Sequence, residues 1–399
     1  MIKRYMKTPL ILLLSLLLIQ GCQTGAKGLN NNNLADQVLN SAISVAFAPD
    51  GRLWRLIPTS DAVFIDSSTD YGKTYTEAIK INPTDQKISA WPENPPAIAI
   101  SQSGRIHVLY YADEKQKSTS FFSYSDNNGQ TFSKPVLISD HADTDRHYMD
   151  QMLVDKNNKV YMFWHDTRHE QHEQQGHHTG TGALSLYYTV TDKPALAEFT
   201  NRFISDGICS CCRTAIAFSP DEKPVILARM VYPDDIRDHA LINMNADGKW
   251  SKPQRVTFDD WKIDACPEHG PALAIDNRNR AHLTWFTLGD KHQGIFYSHT
   301  DDDGKTLSQA IALGDASRLP SHPDVAAVGM RVALAWKEFD GETTHIVVKQ
   351  SSDRGITWTE DKKILSTTAD SDHPNLISHD GRIFLSWTSN DVGHHFIEI

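Results

Sequence analysis

The chain has 399 residues, 40% of them hydrophobic, with 39 Lys and Arg against 50 Asp and Glu and a formal net charge of −11. That length allows two or three compact domains or one radial array of repeats, with enough apolar residue for a sizeable core. The acidic balance excludes nucleic acid and anionic lipid surfaces as natural partners and fits a solvated, solubilising shell.

At the N-terminus Lys3, Arg4 and Lys7 precede an apolar run from Pro9 to Ile19, followed by Gln20, Gly21 and Cys22. This is the pattern of a secretory signal, too short to span a bilayer as a stable helix. The small residue before Cys22 makes it resemble a bacterial lipoprotein signal. That resemblance implies removal of residues 1–21 and lipidation of Cys22, with palmitate as anchor. Gln23 in place of Asp implies the outer membrane or cell surface. Residues 22–37, with Asn30 to Asn33 in a row, are expected to form a flexible tether, leaving 38–399 as the folded domain.

From Ile43 onward an apolar segment, a short polar turn and a second apolar segment recur. The recurrences start at Ile43, Pro96, Asp150, Thr214, Pro271, Pro323 and Pro374. A period of about fifty to sixty residues, built of short strands with Gly, Asn and Asp turns, predicts an all-β propeller with one blade per unit. Seven blades are expected, with six as the alternative count. The last unit supplies three strands, so the segment at 34–40 is expected to add the missing outer strand and close the ring, removing an exposed edge.

Between the third and fourth strands stand Ser68 to Tyr75, Ser125 to Phe132, Thr300 to Leu307 and Ser351 to Trp358. They follow S/T-x-D/N-x-G-x-T followed by an aromatic or Leu, and resemble the Asp-box, or BNR, repeat of the sialidase-like propellers. Gly72 to Gly129 is 57 residues, Gly129 to Gly304 is 175 and Gly304 to Gly355 is 51, in register with the units. The Asp or Asn caps its own turn and Gly takes the positive φ, so these are folding devices without chemistry.

In such a blade the loops entering the first strands share one face with the loops joining the second and third strands. The entries carry His147, Tyr148, Cys209, Cys211, Cys212, Arg213, Cys266, His269, His322 and His373. The other loops add His165, His172, His177, His178, Met230 and His292. One face therefore collects most of the imidazoles and every thiol of the folded domain. A lone histidine is more often a satisfied core residue than a ligand, but recurrence at one level points to convergence. Imidazoles and thiolates suit Zn and Cu. The expectation is a centre made by Cys209, Cys211, Cys212, Cys266 and His269, with His147, His165, His322 and His373 at the channel mouth. A Cys209–Cys266 disulfide stapling two blades is the alternative.

The sialidase-like resemblance spans nearly all of the folded chain, yet it identifies a scaffold and leaves function to the site. Arg55 to Pro58 looks like the Arg-Ile-Pro element of sialidases, but falls on a second strand where the family has it on a first. No tyrosine follows Tyr297 to act as nucleophile. Propeller polysaccharide lyases are also similar, and imply a His base, a Tyr partner and an Arg on the uronate carboxylate. His147, His165, Tyr148, Arg213 and Arg229 are the candidates here. The leading expectation is a lipid-anchored propeller with a Zn or Cu centre for metal handling or metal-assisted chemistry. The alternatives are an enzyme acting on acidic glycans and a non-catalytic binding module.

Overall fold

A computed structural model describes residues 42–114, 117–140, 147–168, 183–196 and 199–399. The expected signal, the lipidation at Cys22, the tether, the closing strand at 34–40 and the histidines at 172, 177 and 178 lie outside them. The described residues form an all-β structure, 53% strand and 2% helical, of several antiparallel sheets in a propeller-like arrangement.

Each predicted hairpin is present and its turn closes through backbone bonds. Ala48 donates to the Arg52 carbonyl at 2.8 Å, Ser101 to Arg105 at 3.0 Å and Asp276 to Arg280 at 3.0 Å. The innermost strands are Ser44–Phe47, Ala97–Ile100, His147–Val154, Ala215–Phe218, Ala272–Ile275, Ser321–Val328 and Asn375–His379. Second and third strands follow them outward, as in the order 321–328, 331–339, 344–351, 362–367. Among the described residues the last sheet has three strands.

Second strands are buried on both faces, which is why they read as unbroken apolar runs; Val160–Asp166 is buried throughout. Their recurrent tryptophans fill the space between sheets, and four of them find an acceptor for the indole N–H. Trp164 donates to Asp166 Oδ2 at 2.9 Å, Trp285 to Asp259 Oδ2 at 2.9 Å, Trp336 to Glu338 Oε1 at 3.1 Å and Trp387 to the Asp372 carbonyl at 3.1 Å. Without those acceptors, burying the indole would leave an orphan donor costing about 1–3 kcal/mol.

The four Ser/Thr–Asp/Asn–Gly–Thr turns share one hydrogen-bond pattern. In the first, Gly72 N–H donates to Ser68 Oγ at 2.8 Å and Thr74 N–H to Asp70 Oδ1 at 2.9 Å. In the last, Gly355 donates to Ser351 Oγ at 2.9 Å and Thr357 to Asp353 Oδ1 at 2.8 Å. The glycines also admit the neighbouring sheet: a Cβ on Gly129 would sit 2.6 Å from the Trp54 ring. First and last sheets meet in the same way. Phe47 stacks on His379 at 4.2 Å, and Tyr75 Oη lies 3.3 Å from His394 Nδ1.

Candidate functional site

The innermost strands surround a cavity of about 530 Å³, lined among others by Asp150, Arg213, Thr214, Asp324, Asp372 and His373. Two of these strands begin with a register break, between Tyr148 and Gln151 and between Ser321 and Asp324. Met149 (φ 56°) and His322 (φ 48°) occupy these breaks in the left-handed region. Neither is glycine, so each holds strain of about 1–3 kcal/mol that the surrounding sheet over-determines, and each bulge re-aims the side chains beside it.

Behind the cavity-lining Arg213 and His373, Glu93, 2% exposed, is the hub. Its Oε2 accepts from the Arg213 N–H at 3.3 Å and lies 4.0 Å from Arg213 Nε, while Oε1 accepts from the Gly270 N–H at 3.2 Å. His322 Nδ1 and His373 Nδ1 stand 3.6 and 3.8 Å from the same Oε1. Three imidazoles pile up beside it: His269 lies 4.0 Å above Phe286, His322 4.2 Å from His269 and His373 3.5 Å from His322. Glu93 was not expected from the sequence. Trp91-Pro92-Glu93 occupies the same entry-loop level as the histidines, but a single carboxylate in an acidic chain carries no distinguishing pattern.

Burial works against each charge here, and the net directions differ. It raises Glu93, but the Arg213 charge and the His322 contact outweigh it and hold the carboxylate below its ordinary range. Burial depresses His322, brings His269 down to about 3 and puts His373 well below its ordinary value, so the stack is neutral near pH 7. Burial also pushes Asp150 up to about 7 and Asp372 to about 8. Lys337, which donates to the Ser371 carbonyl at 3.0 Å, is depressed by burial despite the Asp372 charge. The cavity thus brings together the His373 imidazole, two carboxyls raised by burial and the Arg213 guanidinium.

The expected site residues separate into distinct places. Arg213 and His373 line the cavity, and His322 joins them around Glu93. His269 belongs to that stack and is not part of the thiol group expected to include it. Cys209, Cys211 and Cys212 do converge, all three sulfurs lying within 4.8 Å of one another. Cys266 is exposed and stands apart from that group, and all four cysteines are free, which removes the Cys209–Cys266 staple. His147 is not at the mouth: it is fully buried, with Nε2 3.0 Å from Ser139 Oγ and 3.3 Å from Asp166 Oδ2. Arg229, 1% exposed, donates to the His269 and Phe286 carbonyls at 3.0 and 2.7 Å and lies over Trp261, which makes it a brace between entry loops. His165 is likewise fully buried, beside Cys209 and Ser210. Arg55 pairs with Asp66 at 2.7 Å on a second strand, away from the cavity lining.

No family model and no curated protein sequence matches the chain. Solved structures do resemble it. An ulvan lyase of a new polysaccharide lyase family, bound to -[GlcA(1-4)Rha3S]-, has a TM-score of 0.56 at 10% identity, over 92% of this chain and 93% of that one. The polysaccharide lyase Uly1 has a TM-score of 0.55 at 13% identity over 95% and 93% of the chains. The Hadza microbial sialidase Hz136 has 0.51 at 14% over 85% and 74%. Identities this low carry the fold alone, and the fold they share is propeller-like.

Proposed function

We propose that this chain is a seven-bladed, Asp-box propeller that acts on acidic glycans at its axial cavity, by lyase-type elimination beside a uronate carboxylate. Seven innermost strands lining one cavity support the blade count. The repeated Ser/Thr–Asp/Asn–Gly–Thr turns support the Asp-box assignment, and the segment ending at Cys22 supports a lipid-anchored enzyme at the outer membrane or cell surface. One observation carries the chemistry: the Arg213 guanidinium, the His373 imidazole and the buried Asp150 and Asp372 carboxyls border a single cavity. The similar lyase bound to a glucuronate-containing sulfated disaccharide adds a fold-level analogy.

In this reading Arg213 takes the uronate carboxylate and stabilises the charge that develops next to it, a contribution of about 3–4 kcal/mol when the donor is preorganised. Neutral His373 removes the proton on the carbon bearing that carboxylate. The C–H pair becomes the new C=C bond, the glycosidic C–O bond breaks, and Asp372 delivers its proton to the departing oxygen. Glu93 fixes Arg213 and the imidazole stack. The missing late tyrosine speaks against sialidase chemistry. Incubation with uronate polymers is expected to yield the ultraviolet absorbance of an unsaturated uronate, with sialosides left intact. Sialoside cleavage, or glycan binding without turnover, would overturn the reading.

A further inference from the structure

Cys209 ends the strand Arg202–Cys209, which pairs with Ala183–Thr191 on one side and, through Ile208 and Met230, with Pro224–Tyr232 on the other, and the chain then runs through Ser210 to Thr214 into the innermost strand Ala215–Phe218. On this crossing Cys209 Sγ lies 3.9 Å from Cys211 Sγ and 3.7 Å from Cys212 Sγ. Cys209 and Cys212 are each 1% exposed and Cys211 is half-buried. A disulfide requires sulfurs at about 2.05 Å. An ion that binds thiolates at about 2.3 Å sets them about 3.8 Å apart in tetrahedral geometry and about 4.0 Å apart in trigonal geometry. The observed separations match the second case.

An independent observation points to the same place. His165 is 0% exposed, has no side-chain partner for either ring nitrogen, and sits against the Ser210 backbone and within the field of Cys209. A buried imidazole so sparsely satisfied costs free energy that a nearby ion would offset. Arg237 Nη1 donates to Cys209 Sγ at 3.8 Å, and Arg229 contributes a second positive charge. Three thiolates with a divalent or monovalent cation carry a net charge of about −1 or −2, which two guanidiniums offset.

We propose that Cys209, Cys211 and Cys212 bind one thiophilic d10 ion, Zn(II) or Cu(I), beside the buried His165. Loading exchanges the three S–H protons, released to solvent, for three metal–sulfur bonds without oxidation or reduction. The ion closes the loop that ends in Arg213 and so acts as a clasp on the cavity wall. The site stands whether or not the glycan reading holds.

The test uses the full chain purified anaerobically with reductant. Metal analysis is expected to find stoichiometric Zn or Cu, and competition with Zn(II)- and Cu(I)-selective chelators distinguishes the two. Cobalt titration of stripped protein is expected to give a thiolate-to-cobalt charge-transfer band. Cys211→Ser weakens binding by more than the roughly 10–100-fold typical of outer-shell changes, while Cys266→Ser leaves it unchanged. If a variant fails to fold, the cobalt spectrum of the unmutated chain still decides. A Cys209 disulfide found by alkylation and mass spectrometry, the absence of a cobalt band, or an equal loss in Cys266→Ser overturns the proposal.

Discussion

Asp70, in a hairpin turn, and Asp372, beside the cavity, are the same residue under opposite constraints. Asp70 is half-buried and accepts from the Thr74 side chain and backbone and from Ser68, and those bonds lower its pKa to about 2. Asp372 is buried, and desolvation outweighs its bond from the His373 N–H, raising its pKa to about 8. Where the polar groups of a turn satisfy one another, the carboxylate stays charged and serves the fold. Where the sheets withhold partners, the carboxyl keeps its proton and becomes available for transfer.

The strongest way to break that contrast is to remove the cation on the cavity side. Arg213→Ala is expected to lower turnover of a uronate polymer by about 10²–10³-fold, the loss typical for a preorganised charge-stabilising donor. The measurement is kcat/KM from product absorbance, with thermal denaturation showing the fold retained. A loss of less than about tenfold would remove Arg213 from the charge-stabilising role.

On the turn side the largest effect is steric. Gly129→Ala meets a φ of +73° and the Trp54 ring at 2.6 Å. Strain of about 1–2 kcal/mol and overpacking of about 1–3 kcal/mol predict a loss of roughly 2–5 kcal/mol in denaturant unfolding. Gly104→Ala has φ +84° with nothing within 4 Å, so it is expected to cost only the strain. The difference between the two variants isolates the packing between sheets.

Asp372 offers a test by pH. Its folded pKa, about 8, lies above the ordinary 3.8. The associated stability is full below about pH 4 and is lost progressively as pH rises to about 8, a few kcal/mol in all. Asp372→Asn is expected to flatten stability over that window. In the unmutated chain the elimination rate is expected to fall as pH passes about 8 and the proton donor ionises. A rate that is flat through pH 9 would assign the donor elsewhere.

The hairpins were legible because a period of two and turn residues are local signals. Gly72, Gly129, Gly304 and Gly355 mark their turns without reference to anything distant. The convergence of Cys209, Cys211 and Cys212 was also legible, since three residues in four share one loop. Which imidazoles face the cavity was not. His147 and His322 both occur at the start of an innermost strand with a register break, yet one faces Ser139 and Asp166 in the core and the other faces Glu93. A bulge rotates side chains by an amount that tertiary packing decides. Cys266 was misplaced for a related reason: equal position in aligned repeats does not fix the path of an entry loop. Glu93 lies more than a hundred residues from Arg213 and Gly270, so no local pattern announces it.

The smallest expected effect returns to Asp70. Its folded pKa lies below the ordinary 3.8, so its contribution to stability is present above about pH 4 and is lost as pH falls towards 2. Asp70→Asn keeps an acceptor for the Thr74 N–H, as Asn127 does for Thr131 at 3.0 Å in the equivalent turn. It is therefore expected to leave neutral-pH stability nearly unchanged while flattening the acid limb of the unfolding profile. Asp70→Ala removes the acceptor and is expected to lower the thermal midpoint at every pH. If Asn and Ala behaved alike at pH 7, the turn would depend on the charge rather than on its hydrogen bonds, and the natural Asn at position 127 would have no explanation.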